Sequence, residues 1–163
     1  MLDRVMHRMR QFFAALRPRV SEDNRRDAYR YLSPEQQGLF ESMMLSDQQH
    51  GIRVYGHTRD ACGEDPAMFT AALLHDCGKG RVLVWQRVAF VILGAVPGWR
   101  ARIATERGAE WRRAFWRLLH HPSIGADMVA ATGADPDVVR MIREQDAPVP
   151  DARLAILQAA DEA

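Results

Sequence analysis

Apolar residues recur at helical spacing along most of the chain, and the strict alternation that marks β-strands is nearly absent. No Asn-Gly or Asp-Gly hairpin signal and no internal repeat interrupts this pattern. Residues 67–74 are apolar on almost every side of a helix, which predicts a central, buried element. The pattern as a whole predicts an all-α fold.

Prolines, glycines and short polar residues divide this pattern into separate helices. The clearest start is Ser33-Pro34-Glu35-Gln36, because serine is a good N-cap, proline suits the first turn and glutamine can complete a capping box. The other predicted starts are Ser21, Asp47, Pro66, Pro122, Pro136 and Asp151. The predicted stops are a glycine cap at Gly78 and a break at Gly133. A separate helix is predicted over residues 111–119, before Pro122.

Residues 2–17 predict an additional, basic amphipathic helix that ends at Pro18. We interpret it as part of an N-terminal helical extension, residues 1–45, packed on a main domain of residues 46–163. The pattern leaves open a second interpretation, in which this helix lies on a membrane surface.

The longest apolar run, Val88–Val96, is much shorter than the roughly 20 residues that a membrane-spanning helix needs. Arg87 and Arg100 flank it, so no transmembrane segment is expected. We interpret the run as a helix that is buried or faces a partner, and a homodimer is one arrangement that would cover it.

Composition limits the functional classes. A chain of 163 residues with 47% hydrophobic content is one ordinary domain, and its net charge of +1 does not favour duplex nucleic acid as a partner. Cys62 and Cys77 form no CxxC pair and no disulfide framework, which favours a reduced, cytoplasmic setting. No signal peptide is expected, and the abrupt ending two residues after Asp161 is compatible with a further segment.

Candidate chemistry begins at the end of the most apolar helix, where His75 and Asp76 follow each other. Ionisable groups are costly to bury unpaired, but they are natural there if they bind a cation. His50 and Asp161 lie on other predicted helices, each one turn from an inward-facing apolar residue. Imidazole and carboxylate from several helices of a bundle can converge on one divalent ion.

These residues resemble the HD-domain superfamily of metal-dependent phosphohydrolases over residues 46–163. The resemblance rests on His50, the segment AALLHDCGK at residues 71–79, and Asp161 preceded by alanine. It implies an HD-domain helical bundle with metal ligands His50, His75, Asp76 and Asp161, and with Lys79 close to substrate phosphate. The implied activity is hydrolysis of a small phosphoester, such as a nucleotide, by a metal-activated water. Asp76 and Lys79 would be catalytic, and the ion would be Mn, Fe, Zn, Co, Ni or Mg.

Two departures from relatives with two metals leave alternatives open. The segment His121-Pro122-Ser123-Ile124-Gly125 resembles an element whose histidine binds a second metal in HD-GYP proteins, so His121 is a candidate for a second metal or for substrate. Gln145 stands where those relatives carry histidine, and the GYP element is absent. The alternative function is a non-catalytic HD module that binds metal or nucleotide as a sensor or scaffold. His57, seven residues after His50, is interpreted as a surface residue.

Overall fold

The structure is a computed structural model that describes residues 20–148 and 150–163. The amphipathic helix predicted for residues 2–17 lies outside the described residues. Within them the chain forms nine α-helices and no β-strand, which confirms the all-α prediction. The helices are α1 Glu22–Tyr29, α2 Pro34–Ser42, α3 Leu45–Cys62, α4 Pro66–Leu74, α5 Val84–Leu93, α6 Trp99–Ile103, α7 Glu110–Ala130, α8 Pro136–Arg143 and α9 Ala152–Glu162. A 3₁₀ turn, Cys77–Lys79, follows α4. Among the described residues, none of these helices combines the length and the apolarity needed to cross a membrane.

Local capping signals place most helix starts where the sequence predicts them. The Ser33 hydroxyl accepts from the Gln36 amide at 3.3 Å, while the Gln36 side chain accepts from the Ser33 amide at 2.9 Å. Asp65 and Asp151 cap α4 and α9 through their carboxylates. Each such bond satisfies an amide that the helix itself leaves unpaired, so these starts need no tertiary contact.

Helix α4 lies at the centre of the core, and its residues from Met68 to Leu74 are all buried. Side chains from α1 and α2, including Ala28 and Phe40, belong to the same hydrophobic cluster as those of α4, α7, α8 and α9. The described part of the predicted N-terminal extension thus shares one core with the rest, and a boundary at residue 45 stays a prediction. This central position of α4 places the residues that follow it, His75 and Asp76, deep inside the bundle.

Pro122 does not begin a new helix, because α7 runs without interruption from Glu110 to Ala130. Proline has no amide to donate to the carbonyl four residues earlier, that of Leu118. The imidazole Nδ1 of His121 donates to this carbonyl at 3.0 Å instead. The helix therefore continues, and the proline directs the ring of the preceding histidine.

Gly78 is not the left-handed helix cap that the sequence predicts, since it lies in the 3₁₀ turn without a positive φ. Its role is steric. A Cβ at this position would lie 2.2 Å from the His121 carbonyl oxygen and 2.5 Å from the Gly125 amide nitrogen. The absence of a side chain lets the turn after α4 pack directly on the backbone of α7.

Asp47 does not cap α3, which begins at Leu45 after Met44. Its carboxylate is buried and accepts from Arg87 of α5 at 2.6 Å. Leaving a buried carboxylate unpaired costs more free energy than leaving a helix start without a side-chain cap, so Asp47 pairs with Arg87. This ion pair ties α5 to the helix that carries His50.

We expect Arg87→Met to lower the free energy of unfolding by about 2 kcal/mol, because it leaves the Asp47 carboxylate buried without a cation. Arg113→Met is the matched control, since Arg113 pairs with the exposed Glu110 within α7. It should cost at most about 1 kcal/mol. Urea unfolding of both variants measures the difference, and equal costs would contradict a buried ion pair at Asp47.

The helix predicted around Val88–Val96 begins and ends earlier than that run, and most of its large apolar residues are exposed. Helix α5 ends at Leu93, and Trp85, Val91 and Ile92 are more than half exposed. Of the two interpretations of this run, a helix that faces a partner stays a prediction, and burial within the chain is contradicted for the described residues. The reason is that the polar residues of α5, Gln86 and Arg87, occupy its inward side.

Candidate metal centre

Three parts of the fold bring four of the predicted site residues together. His50 comes from α3, His75 and Asp76 follow α4, and Asp161 lies in the last turn of α9. Nε2 of His50 lies 2.6 Å from Oδ1 of Asp161 and 3.9 Å from Oδ2 of Asp76. Nε2 of His75 lies 3.3 Å from the same Asp161 oxygen and 3.4 Å from Oδ1 of Asp76. These residues, 111 positions apart at the extremes, form one cluster.

The arrangement around His75 leaves a nitrogen lone pair pointing into this cluster. Nδ1 of His75 lies 2.8 Å from the Ala72 carbonyl, and because a carbonyl can only accept, Nδ1 carries the proton. In the neutral ring, Nε2 then has a free lone pair. Nε2 is buried without a hydrogen-bond partner, and so is Oδ1 of Asp76 beside it.

Two buried acceptors without partners are unusual, because most buried polar atoms in folded proteins are hydrogen-bonded. An acceptor pair of nitrogen and carboxylate oxygen is also what a divalent cation requires. His50, His75 and Asp76 each offer one ligand atom within 4.8 Å of the others, so the cluster could hold a metal ion. The residues that the structure brings together therefore fit such an ion.

Asp76 stays ionised in spite of complete burial. Burial alone would raise the pKa of its carboxyl group, but His75, Lys79, His50 and His121 surround it and lower the pKa well below the ordinary value. The ammonium of Lys79 lies 2.5 Å from Oδ2 of Asp76. Oδ1, the oxygen without a hydrogen bond, is the one that faces His75.

Asp161 closes the cluster from α9 and is partly open to solvent. Burial raises the pKa of its carboxyl group, but the hydrogen bond with His50 and the nearby imidazole of His75 outweigh this and lower it strongly. The carboxylates of Asp76 and Asp161 in turn change the pKa of His75. Burial lowers the pKa of that imidazole, and the charges of Asp76 and Asp161 raise it above the ordinary value. A divalent cation would compete with the proton for this nitrogen.

His50 is held in the tautomer that opposes metal binding. Arg53 can only donate, and its Nη2 lies 2.8 Å from Nδ1 of His50, so that nitrogen accepts and Nε2 carries the proton. Nε2 then donates to Asp161 at 2.6 Å. Coordination through Nε2 requires the proton to move to Nδ1 and the Arg53 contact to open. Arg53 belongs to none of the sequence motifs, and only its position one turn after His50 is a local sign of this contact.

His121 lies at the edge of the cluster, with Nε2 3.6 Å from Oδ1 of Asp76. Its Nδ1 proton is donated to the Leu118 carbonyl that Pro122 leaves free, so Nε2 presents a lone pair toward Asp76. Burial and the Lys79 charge lower the pKa of His121, which keeps the ring neutral. The structure thus places this candidate beside the carboxylate that it would share with a metal or a substrate.

Two further residues, Gln145 and Arg117, hold the metal centre in place. No sequence pattern indicated this supporting role. Gln145, buried after α8, donates to the His75 carbonyl at 3.1 Å, and its backbone carbonyl accepts from Gln158 of α9. Arg117 of α7 donates to the carbonyls of Lys79 and Arg81 at 3.1 and 2.8 Å. These bonds hold the backbone on both sides of Asp76, a long-range role that local sequence patterns do not reveal.

Two residues near the site, Cys77 and His57, take no part in the cluster. The Cys77 thiol is buried and donates weakly to the Gly125 carbonyl, and burial next to Asp76 raises its pKa to about 12. A thiol that stays protonated is a packing group rather than a ligand. His57 is exposed on α3, beside a cleft that α9 also lines.

Comparison with known proteins adds no further assignment: no family model, no curated protein and no solved structure matches this chain. The site is therefore interpreted from its own geometry.

Proposed function

We propose that this protein is a metal-dependent phosphohydrolase that acts on a nucleotide or another small phosphoester. The observation that carries the proposal is the pair of buried acceptors without partners, Nε2 of His75 and Oδ1 of Asp76. Their position beside His50 and Asp161 agrees with the ligand set that the HD-domain resemblance implies. The proposed ion is Mn, Fe, Zn, Co, Ni or Mg, and mixed nitrogen and oxygen donors favour the first-row transition metals among them.

A divalent ion bound here would polarise a phosphoryl oxygen and lower the pKa of a bound water. The chain's own groups supply the remaining functions. Asp76, held ionised, can orient a water molecule beside the ion, whereas its lowered pKa makes it a weak proton acceptor. Lys79 is the nearest fixed cation, and its ammonium can shift from Asp76 to neutralise phosphate charge. His121, kept neutral, can accept a proton or bind a second ion.

The metal centre is open to solvent on the side of Asp161. This residue is half exposed, and it lines a cleft of about 270 Å³ together with Gln145, Asp146, Ala147, Gln158 and Glu162. Three carboxylates and no cation belong to this lining, so phosphate charge would be balanced by the bound ion and by Lys79 and Arg53, which contact the cluster outside the cleft. These two cations support a phosphorylated small molecule as substrate.

A metal- or nucleotide-binding module without turnover is the second candidate function. It is favoured by the ion pair of Lys79 with Asp76, which directs the ammonium into the cluster rather than toward a substrate. Under that function the protein binds metal and has no activity on any phosphoester. Metal content is the same for both functions, so turnover separates them.

The two histidines of α3 provide a matched test of the proposal. We expect His50→Ala to lose metal affinity and phosphoester turnover by at least about a hundredfold, because loss of a group that only supports a metal ligand already costs about 10- to 100-fold. His57→Ala removes the same side chain from an exposed position of the same helix and should retain both. Metal content and hydrolysis of chromogenic phosphomonoesters and phosphodiesters measure the effect.

If His57→Ala lost the metal and His50→Ala kept it, the assignment of the α3 ligand would be wrong. Stoichiometric metal without turnover on chromogenic esters and a nucleotide panel would favour the binding module.

A further inference from the structure

Helix α5 exposes a stripe of apolar residues where an ordinary surface helix carries polar ones. Its exposed stripe consists of Val84, Trp85, Val88, Val91 and Ile92, which recur at helical spacing, and we call this stripe the α5 face. The inward side carries the polar residues Gln86 and Arg87. Ile92 is 65% exposed and Trp85 is 54% exposed, so several large apolar side chains of the helix meet the surroundings of the protein, while Phe90 packs inward on Phe115. A contiguous apolar surface of this kind marks an interaction site.

Tryptophans extend the α5 face toward the neighbouring helices. Trp99 and Trp111 are both at least 40% exposed, and they line one cleft together with Arg102 and Arg112. Trp111 packs edge-on against Phe115, which packs against Phe90 of α5. Exposed tryptophan beside arginine is typical of the boundary between lipid chains and polar headgroups.

The charge of this part of the chain is strongly positive. Residues 80–117 contain eight arginines and two glutamates, whereas the net charge of the whole chain is only +1. Arg81, Arg102 and Arg107 are exposed. Such clustering creates a local positive potential although the total charge is nearly balanced. The α5 face therefore belongs to a basic segment of the chain, in which Arg81, Arg102 and Arg107 are the exposed arginines without an ion pair among the described residues.

We propose that the α5 face docks the protein on a bilayer surface that contains anionic lipid. Apolar side chains and tryptophans would enter the boundary between headgroups and acyl chains, while the surrounding arginines contact lipid phosphate and carboxylate groups. A second copy of the chain fits less well, because a symmetric dimer through this face would bring two strongly basic surfaces together. This docking is independent of the proposed hydrolysis, and the Asp47–Arg87 ion pair connects the docking helix to the helix that carries His50.

The test is flotation of the full chain with vesicles of phosphatidylcholine alone or of phosphatidylcholine mixed with phosphatidylglycerol. The wild type is expected to float with the anionic vesicles, and less so as salt increases, because salt screens the arginines. Val91→Glu/Ile92→Glu should weaken partition by at least about tenfold, since it removes apolar contact area and adds two carboxylates facing anionic lipid. Ala130→Glu/Ala131→Glu is the matched control, because it adds the same charge at exposed positions outside residues 80–117.

Brominated acyl chains provide a second readout, because they quench tryptophans that enter the bilayer. Quenching in the wild type and its loss in Val91→Glu/Ile92→Glu would support docking through the α5 face. Three outcomes would overturn it: no flotation of the wild type with anionic vesicles, equal flotation of the wild type and this variant, or a wild-type dimer in solution that Ile92→Glu dissociates. Thermal melting of each variant checks that the protein remains folded.

Discussion

Asp76→Asn is expected to abolish metal-dependent phosphoester hydrolysis while leaving the helical fold intact. Asparagine keeps the volume of the buried side chain but removes the charge that attracts a cation and alters the oxygen pair that faces His75 and Lys79. We expect metal affinity and turnover to fall by at least about a hundredfold. Loss of a group that only hydrogen-bonds to a metal ligand already costs about 10- to 100-fold, and Asp76 is a proposed ligand itself. Circular dichroism should change little, since the substitution also removes the cost of burying a charge.

Asp60→Asn is the matched control for this variant. Asp60 is an exposed aspartate of α3 outside the metal centre and its cleft, and the substitution makes the same change in charge. It should retain metal and at least most of the turnover. Metal content by mass spectrometry and initial rates after Mn or Co supplementation give both results. Wild-type turnover in Asp76→Asn would show that the reaction does not use this carboxylate.

Gly78→Ala is expected to destabilise the fold strongly, although it adds a single methyl group. The new Cβ would meet the His121 carbonyl at 2.2 Å and the Gly125 amide at 2.5 Å, and both are backbone atoms of α7 that cannot rotate away. We expect a loss of about 3 kcal/mol in the free energy of unfolding. Because the turn that carries Gly78 also positions Asp76 and Lys79, metal affinity should decrease as well.

Gly38→Ala provides the comparison for this prediction. Gly38 lies inside α2, and an added Cβ would have no heavy atom within 4 Å. Alanine should therefore stabilise the helix by about 0.5–1 kcal/mol, through its smaller entropy loss on folding. Urea unfolding of the two variants should show changes of opposite sign. If Gly78→Ala were as stable as the wild type, the close packing of the turn on α7 would be refuted.

The features that sequence patterns predicted correctly are those decided by neighbouring residues. The capping box at Ser33 and the cap at Asp151 depend on bonds that span three residues, so they can be recognised along the chain. Burial of α4 follows from its apolar surface on every side. The convergence of His50, His75, Asp76 and Asp161 is the long-range exception, and it was expected from the family resemblance together with the inward-facing apolar neighbours.

The features that sequence patterns missed are decided by contacts that the local pattern does not contain. Asp47 has the residue type of a helix cap, but its carboxylate pairs with Arg87, 40 residues later. Pro122 has the residue type of a helix start, but the histidine before it replaces the lost hydrogen bond within α7. The apolar run of α5 predicts a helix that is buried or faces a partner. Hydrophobicity alone cannot decide between the two, since it does not say whether the apolar side faces this chain's own core.

Metal content of the purified wild-type chain tests the central claim most directly. After supplementation with Mn, Co or Ni and removal of unbound ions, mass spectrometry should find at least about one ion per chain, held by the buried acceptors of His75 and Asp76. About two ions per chain would agree with His121 as an additional ligand. A folded protein that retains none of these ions would contradict the metal centre and, with it, the proposed hydrolysis.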